Sequence, residues 1–170
     1  VHQHFMLVDT LTVAENVTLG AESQARFGLL SPGDAEREVA ALAERYRLPV
    51  DAKARISQLS VGAQQRVEIL KALYRGARVL ILDEPTAVLT PQEVDELFAV
   101  LRALVADGVS IVLITHKLAE VKAMATRLTV LRAGKRVATA LVADTSIERM
   151  AELMVGHVPA PLTERSDRAP

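Results

Sequence analysis

The sequence lacks cysteine and tryptophan, and aromatic residues make up only 3% of its 170 residues. Without cysteine the chain forms neither disulfides nor thiolate metal sites. So few aromatic rings argue against stacking on nucleic-acid bases, and a formal net charge of −1 shows no basic excess for a nucleic-acid surface. No apolar run is long enough to span a bilayer, and no signal peptide is visible. Half of the residues are hydrophobic, which is enough for a core.

The chain begins with Val1 rather than with methionine, in the middle of an apolar stretch. Its length fits one domain or part of a larger one. We therefore expect a fragment whose true N-terminus lies upstream.

Helix-start signals dominate residues 1–75. Thr12, Ser31 and Ser60 are candidate N-caps, since each precedes a run with helical character and a short polar side chain satisfies free backbone N–H groups there. Gly76 follows the third of these helices and suits its end. These residues therefore predict a mainly helical subdomain.

Two short apolar runs, VLIL at residues 79–82 and VSIVLITH at residues 109–116, predict strands. Continuous apolar runs of this length are typical of strands that are buried on both faces. The helix predicted between them has Thr90 as its N-cap and Glu93 as the partner in a capping box. Strands that alternate with helices predict an α/β fold with a mainly parallel sheet.

The last third of the sequence has a different pattern. A short helix precedes residues 127–141, which predict an antiparallel hairpin around Gly134, and a final helix comes next with Ser146 as its cap. The last residues are charged and rich in proline, which is typical of a linker or tail. The chain is thus divided into three parts: a helical subdomain at 1–75, an α/β core at 76–156 and a tail at 157–170.

Polar residues end both predicted strands. Asp83 and Glu84 end the first strand, and Thr115 and His116 end the second. Ligands of open α/β sheets bind at this carboxyl edge. An aspartate there can hold Mg²⁺ directly or through water, a neighbouring glutamate can polarise an attacking water, and a histidine can hydrogen-bond a transferred phosphoryl group.

Simpler interpretations exist for each of these residues. Asp83, Glu84 and the next residue, a proline, also suit a turn after a strand, and His116 alone is an ordinary strand-end residue. The histidines on either side of Gln3 form an H-x-H pair, but a pair near a chain start is weak evidence for a metal site.

The stretch LSVGAQQRVEI at residues 59–69 predicts an anion site. Ser60 suits the N-cap of a helix, and Gly62 lets another group approach the backbone closely. The free N–H groups of a helix start point outward and bind anions.

Four motifs in order resemble those of ABC-transporter ATP-binding domains. LSVGAQQRVEI resembles the signature motif, VLILDEPT the Walker B strand, ITH the switch histidine, and VHQHFMLVDTLTVAENVTLG the Q-loop together with the adjoining segment. The resemblance covers about residues 1–156 and implies the P-loop NTPase-like fold of that family. VHQHFML and DEPTAVLTPQE look most like importers of simple sugars and nucleosides, which carry two such domains in one chain, and this segment resembles the first.

The resemblance implies a role for each matching residue in binding ATP and Mg²⁺. Gln3 would be the Q-loop glutamine, which senses Mg²⁺ and the attacking water and lies near the membrane subunit. Ser60 and Gly62 would contact the γ-phosphate of an ATP held by an opposing domain. Asp83 would support Mg²⁺.

The resemblance also implies catalysis and partners. Glu84 would be the general base for ATP hydrolysis, and His116 would be the switch histidine. The partners would be transmembrane permease subunits, a second ATP-binding domain and, indirectly, a solute-binding protein. The protein would then lie peripherally on the cytoplasmic face of the bacterial inner membrane.

Three departures from the family pattern stand out. The phosphate-cradling G-x-x-x-x-G-K-[ST] loop is absent from the 170 residues, so we expect the isolated chain not to hydrolyse ATP. Ala63 stands where the signature usually has glutamine, and Thr90 stands where an aspartate usually makes a cross-domain contact.

Two other functions remain open at this point. A soluble ABC-type ATPase of translation or DNA repair would share the motifs, although such proteins usually carry long insertions or basic regions. The chain could also be an inactive fragment that acts only as an interaction module.

Overall fold

The computed structural model describes residues 6–21 and 31–156 of the chain. The chain divides into two compact units, of which the first ends at His116 and the second begins at Lys117. The division into parts at residues 75 and 156 remains a prediction. The expected tail lies outside the described residues.

Three helices form most of the N-terminal part of the first unit: α1 (Val13–Thr18), α2 (Pro32–Arg45) and α3 (Val61–Tyr74). The predicted N-caps are confirmed, since the hydroxyls of Thr12, Ser31 and Ser60 each accept a hydrogen bond from the backbone N–H three residues later. A single 3-10 turn, Ile56–Gln58, precedes α3. The three helices contact one another around side chains that are fully buried, namely Val13, Val17, Val39, Val67 and Leu70.

The rest of the first unit is a strand–helix–strand unit: β1 (Val79–Asp83), α4 (Pro91–Ala106) and β2 (Ser110–Ile114). The strands are parallel, with Val79 beside Ser110 and Asp83 beside Ile114. Helix α4 contacts β2, as expected of a helix that connects two parallel strands. The predicted capping box of Thr90 and Glu93 is present at its start.

The expectation that both strands are buried on both faces is wrong for the described residues. Side chains alternate between the two faces of a strand, and in β1 only Leu80 and Leu82 are buried, with 3% and 0% of their surface exposed. The other face carries exposed apolar side chains: Val79, Ile81, Val112 and Ile114. Burial on both faces requires a covering layer on each side, and the described residues cover only one side of this sheet.

The second unit contains α5 (Leu118–Met124), β3 (Arg127–Arg132), β4 (Lys135–Leu141) and α6 (Ile147–Val155). Strands β3 and β4 form the predicted antiparallel hairpin, with Ala133 and Gly134 in left-handed conformations at its turn. Ser146 caps α6, as predicted. The fold class is therefore confirmed as α/β, with a parallel strand pair, a helical region and a C-terminal hairpin. No helix within 6–21 or 31–156 is long and apolar enough to cross a membrane.

Candidate active site at the strand ends

The carboxyl end of β1 carries two acidic residues in succession. Asp83 is the last residue of the strand, and its side chain is exposed. Glu84 comes next with φ at +45°, and its backbone N–H donates to the carbonyl of Ile114 at 2.9 Å. A left-handed conformation costs a non-glycine residue about 1–2 kcal/mol. Such strain is typical of functional sites, because the surrounding structure must hold it in place.

Glu84 and His116 form a hydrogen-bonded pair at this edge of the sheet. Oε1 of Glu84 lies 2.7 Å from Nδ1 of His116, so an ionised Glu84 accepts a hydrogen bond from the Nδ1–H group. The glutamate side chain is 21% exposed and the histidine 71%. The carboxylate is therefore held in place by its neighbour, while the imidazole ring is accessible to a bound molecule.

The second carboxylate oxygen of Glu84 has the properties of an acceptor for a reacting group. Oε2 is buried and has no hydrogen-bond partner among the described residues. Because His116 holds Oε1, the direction of Oε2 is fixed. An oriented acceptor of this kind can take a proton from a water molecule that enters the site and reaches it, which is what a general base must do.

The start of α3 forms a second polar cluster, with Glu93 of α4 in contact with it. The hydroxyl of Ser60 lies 3.4 Å from Oε1 of Glu93. A Cβ atom placed on Gly62 would lie 2.8 Å from the same oxygen. The backbone N–H of Thr90 is the largest cause that lowers the pKa of Glu93 from its ordinary value of 4.5, and Ser60 and the N–H of Gly62 lower it further.

Ala63 is the third residue of α3, three positions after the N-cap Ser60, as the sequence predicts. Its N–H donates to the Ser60 hydroxyl at 3.3 Å. Both α1 and α4 have complete capping boxes, in which Glu15 and Glu93 bond back to the N-cap backbone. Alanine cannot return this bond, so α3 begins with half of a capping box.

The predicted site residues thus fall into two groups, with one residue outside both. Glu84 and His116 lie together beside Asp83 at the strand ends, and Ser60 and Gly62 lie together at the start of α3. Gln3 lies outside the described residues, as do the histidines on either side of it. Within the described part of the chain, no three His, Asp or Glu side chains cluster so that they could hold a metal ion. A metal at Asp83 would therefore depend on ligands from water or phosphate.

Sequence patterns did not reveal the hydrogen bonds that fix the backbone of Met6 and Val8. The N–H of Met6 donates to Glu68 at 2.8 Å, and Lys71 donates to the carbonyl of Met6 at 3.0 Å. Asn16 bonds both to the N–H of Val8 at 2.7 Å and to its carbonyl at 3.1 Å. Helices α1 and α3 therefore fix this backbone by side-chain bonds. A polar residue on the buried side of a predicted helix, such as Asn16, must find hydrogen-bond partners. This is the sequence signal that could have indicated the contact with Val8.

Comparisons with known proteins show the family of the chain. The sequence pattern of the ABC transporter family matches residues 1–87. The chain is 51% identical over its full length to the nucleoside import ATP-binding protein NupA of Lactococcus lactis, of which it covers 33%. It is also 48% identical to the glucose import ATP-binding protein TsgD13 of Haloferax volcanii, where the match includes 92% of this chain and 34% of the relative.

A solved structure with the same fold is the dimeric bacterial ABC transporter cassette MJ0796. The two chains superpose with a TM-score of 0.67 at 27% identity, over 84% of this chain and 61% of the cassette. The chain belongs to the ABC transporter family. It spans about a third of the length of the NupA and TsgD13 relatives.

Proposed function

We propose that this chain forms part of the ATP-binding and ATP-hydrolysing subunit of an importer for nucleosides or simple sugars. The observation that carries the proposal is the Glu84–His116 pair at the strand ends, in a chain that is 51% identical to a nucleoside import ATP-binding protein. The second relative, TsgD13, is named as a glucose import protein. These two relatives support the proposed range of solutes.

Glu84 is the proposed general base. Its free Oε2 accepts the proton of the attacking water while His116 keeps the carboxylate in position. His116 is the proposed switch histidine, since its exposed ring can hydrogen-bond the phosphoryl group that is being transferred.

ATP and Mg²⁺ are the proposed cofactors, and the residues present fit part of their site. The exposed carboxylate of Asp83 is the kind of oxygen ligand that Mg²⁺ takes, directly or through water. When bound, the metal neutralises charge that develops on the phosphates. Gln3 is the further residue proposed to sense the metal and the attacking water.

Ser60 and Gly62 are proposed to contact the γ-phosphate of an ATP that is held by an opposing ATP-binding domain. The cap of α3 and its free N–H groups support this role, because a helix start is an anion site. The related cassette MJ0796 is dimeric. The opposing domain is therefore a proposed partner, either as a tandem half or as a second subunit.

The other proposed partners are transmembrane permease subunits and, through them, a solute-binding protein. The proposed location is the cytoplasmic face of the membrane, which the import function of the relatives supports. A soluble ATPase of translation or DNA repair is not favoured, since NupA and TsgD13 are both named as import proteins.

An uptake assay tests the importer function. The complete subunit would be reconstituted with its permease in vesicles, and uptake of labelled nucleosides and simple sugars would be measured with and without ATP. We expect ATP-dependent uptake of a member of one class and no uptake with the subunit omitted. A complete subunit that binds no membrane permease and co-purifies with ribosomes or DNA would contradict the proposal.

A further inference from the structure

The side chain of Glu93 serves the starts of two helices at once. Its Oε2 accepts hydrogen bonds from the N–H of Thr90 at 3.0 Å and from the Thr90 hydroxyl at 3.1 Å, which completes the capping box of α4. Its Oε1 lies 3.4 Å from the hydroxyl of Ser60, at the start of α3. One carboxylate therefore bridges α4 and the predicted signature helix.

Gly62 provides independent evidence for this contact. A Cβ at this position would lie 2.8 Å from Oε1, 3.1 Å from Cδ and 3.2 Å from Cγ of Glu93. The Glu93 side chain thus lies directly over the glycine, which is itself buried. Any other residue at position 62 would displace the carboxylate from the start of α3.

Glu15 provides an internal comparison within the same chain. It completes a capping box with Thr12, whose N–H donates to Oε2 of Glu15 at 2.7 Å and whose hydroxyl donates at 3.0 Å. The bonds of that box lie at the start of its own helix. Glu93 differs from Glu15 because its second oxygen also contacts Ser60 at the start of another helix, α3.

We propose that Glu93 is an internal anion that occupies the phosphate-binding end of α3 when no ATP faces it. An arriving γ-phosphate takes over Ser60 and Gly62, and Oε1 of Glu93 leaves them while Oε2 stays on Thr90. This inference rests on the proposed function, because it assumes that Ser60 and Gly62 meet the phosphate of an opposing domain. Two anions cannot share the same donors without repulsion, so Glu93 raises the ATP concentration that is needed.

The substitution Glu93→Gln tests the proposal, because glutamine keeps the capping box but removes the charge. Glu15→Gln is the matched control, since it removes the charge from the same kind of box away from α3. The assay is steady-state ATP hydrolysis by the complete subunit with its permease. We expect Glu93→Gln to lower KM for ATP about two- to fivefold with kcat unchanged, as for removal of one exposed charge beside a helix start. Glu15→Gln is expected to leave both constants unchanged.

A purely structural role for Glu93 would not produce this split between KM and kcat. An unchanged or raised KM in Glu93→Gln, with wild-type hydrolysis intact, would overturn this inference alone. A wild-type subunit that does not hydrolyse ATP would overturn the proposed function and this inference with it.

The contact itself can be measured in the 170-residue chain by amide NMR. We expect the amide resonance of Gly62 to shift in Glu93→Gln and to stay in place in Glu15→Gln. An unmoved Gly62 resonance in Glu93→Gln would show that the carboxylate does not lie at the start of α3, and would overturn the proposal.

Discussion

At the scale of single residues, Ala63 makes the start of α3 weaker than the starts of α1 and α4. The Ser60 hydroxyl accepts the N–H of Ala63, but alanine has no polar side chain to return a bond to the Ser60 backbone, as the glutamates of α1 and α4 do for their caps. Replacing Ala63 by glutamine supplies the missing half of the capping box. We expect the free energy of unfolding in urea to rise by up to about 1 kcal/mol.

Ala99→Gln is the control for this substitution. Ala99 is exposed in the middle of α4, so glutamine there changes helix propensity without adding a cap. The change in stability measured for Ala99→Gln is subtracted from the change measured for Ala63→Gln. If no gain then remains for Ala63→Gln, the second capping bond does not stabilise α3.

Gly62 and Gly33 allow a matched comparison, since each is the second residue of its helix. A Cβ at Gly33 would meet no atom within 4 Å, whereas a Cβ at Gly62 would lie 2.8 Å from Oε1 of Glu93. Gly33→Ala should therefore stabilise the chain by roughly 0.4–1 kcal/mol through the unfolded state. Gly62→Ala should show no gain or a loss, because Glu93 must move away.

Thermal and urea unfolding of both alanine variants would check this difference. In a Glu93→Ala background the obstacle is gone, so Gly62→Ala should then recover the gain that Gly33→Ala shows. Equal gains for the two glycines in the wild-type background would mean that Glu93 does not lie over Gly62.

At the scale of elements, the four acidic groups of the described residues whose pKa is lowered all lie at helix starts. Hydrogen bonds from Thr12 lower the pKa of Glu15. Hydrogen bonds from Ser31 and Arg37 lower the pKa of Asp34. Hydrogen bonds from Thr90 lower the pKa of Glu93. The backbone N–H of Glu148 and the hydroxyl of Ser146 lower the pKa of Glu148 in the same way. Each carboxylate is thus stabilised in its charged form at the start of its helix.

The lowered pKa values of these carboxyl groups determine how stability changes with pH. A carboxyl group whose pKa is lower in the folded state contributes stability above its unfolded value, which is 4.5 for glutamate and 3.8 for aspartate. That contribution is lost as the pH falls through the folded pKa. We therefore expect a level free energy of unfolding from about pH 7 to pH 5 and a decline below about pH 4.5.

Urea titrations at a series of pH values would measure this decline. Glu15→Gln should have a smaller slope below about pH 4.5 than the wild type, because one of the contributing groups is gone. The same slope in both proteins would show that the box at α1 does not contribute.

The elements also show how much the sequence could predict. Caps such as Thr12 and Thr90 were predicted correctly, because a cap depends on residues only three positions apart. The contact between Glu93 and Gly62 was missed, since it depends on how α3 and α4 lie against each other. Burial of both sheet faces was wrong for a similar reason: an apolar run shows that a strand tends to be buried, not which of its faces is covered.

The candidate site was predicted in part. The rule that polar residues at the ends of parallel strands meet at one edge placed Glu84 near His116 before their distance was known. The left-handed backbone of Glu84 and the free Oε2 have no sequence signal, since glutamate rarely adopts that conformation and only the neighbouring strand shows why it does here. The roles of these residues remain proposals.

At the scale of the whole molecule, the proposed function depends on a division of work between two regions of one unit. In that proposal the strand ends carry the hydrolytic residues Glu84 and His116, which form a hydrogen-bonded pair, and the start of α3 carries Ser60 and Gly62, which would meet a phosphate on another domain. The 170 residues contain no G-x-x-x-x-G-K-[ST] loop. Under the proposed function, hydrolysis is measured in the complete subunit of which this chain would form a part.

The most direct test of the proposed base is ATP turnover and ATP binding by Glu84→Gln in the complete subunit. Glutamine has nearly the same shape but cannot accept the proton of the attacking water, so we expect turnover to fall by about a hundredfold or more while ATP still binds. Glu44→Gln, an exposed change in α2, should retain wild-type turnover. Near-normal hydrolysis by Glu84→Gln would contradict the assignment of the base.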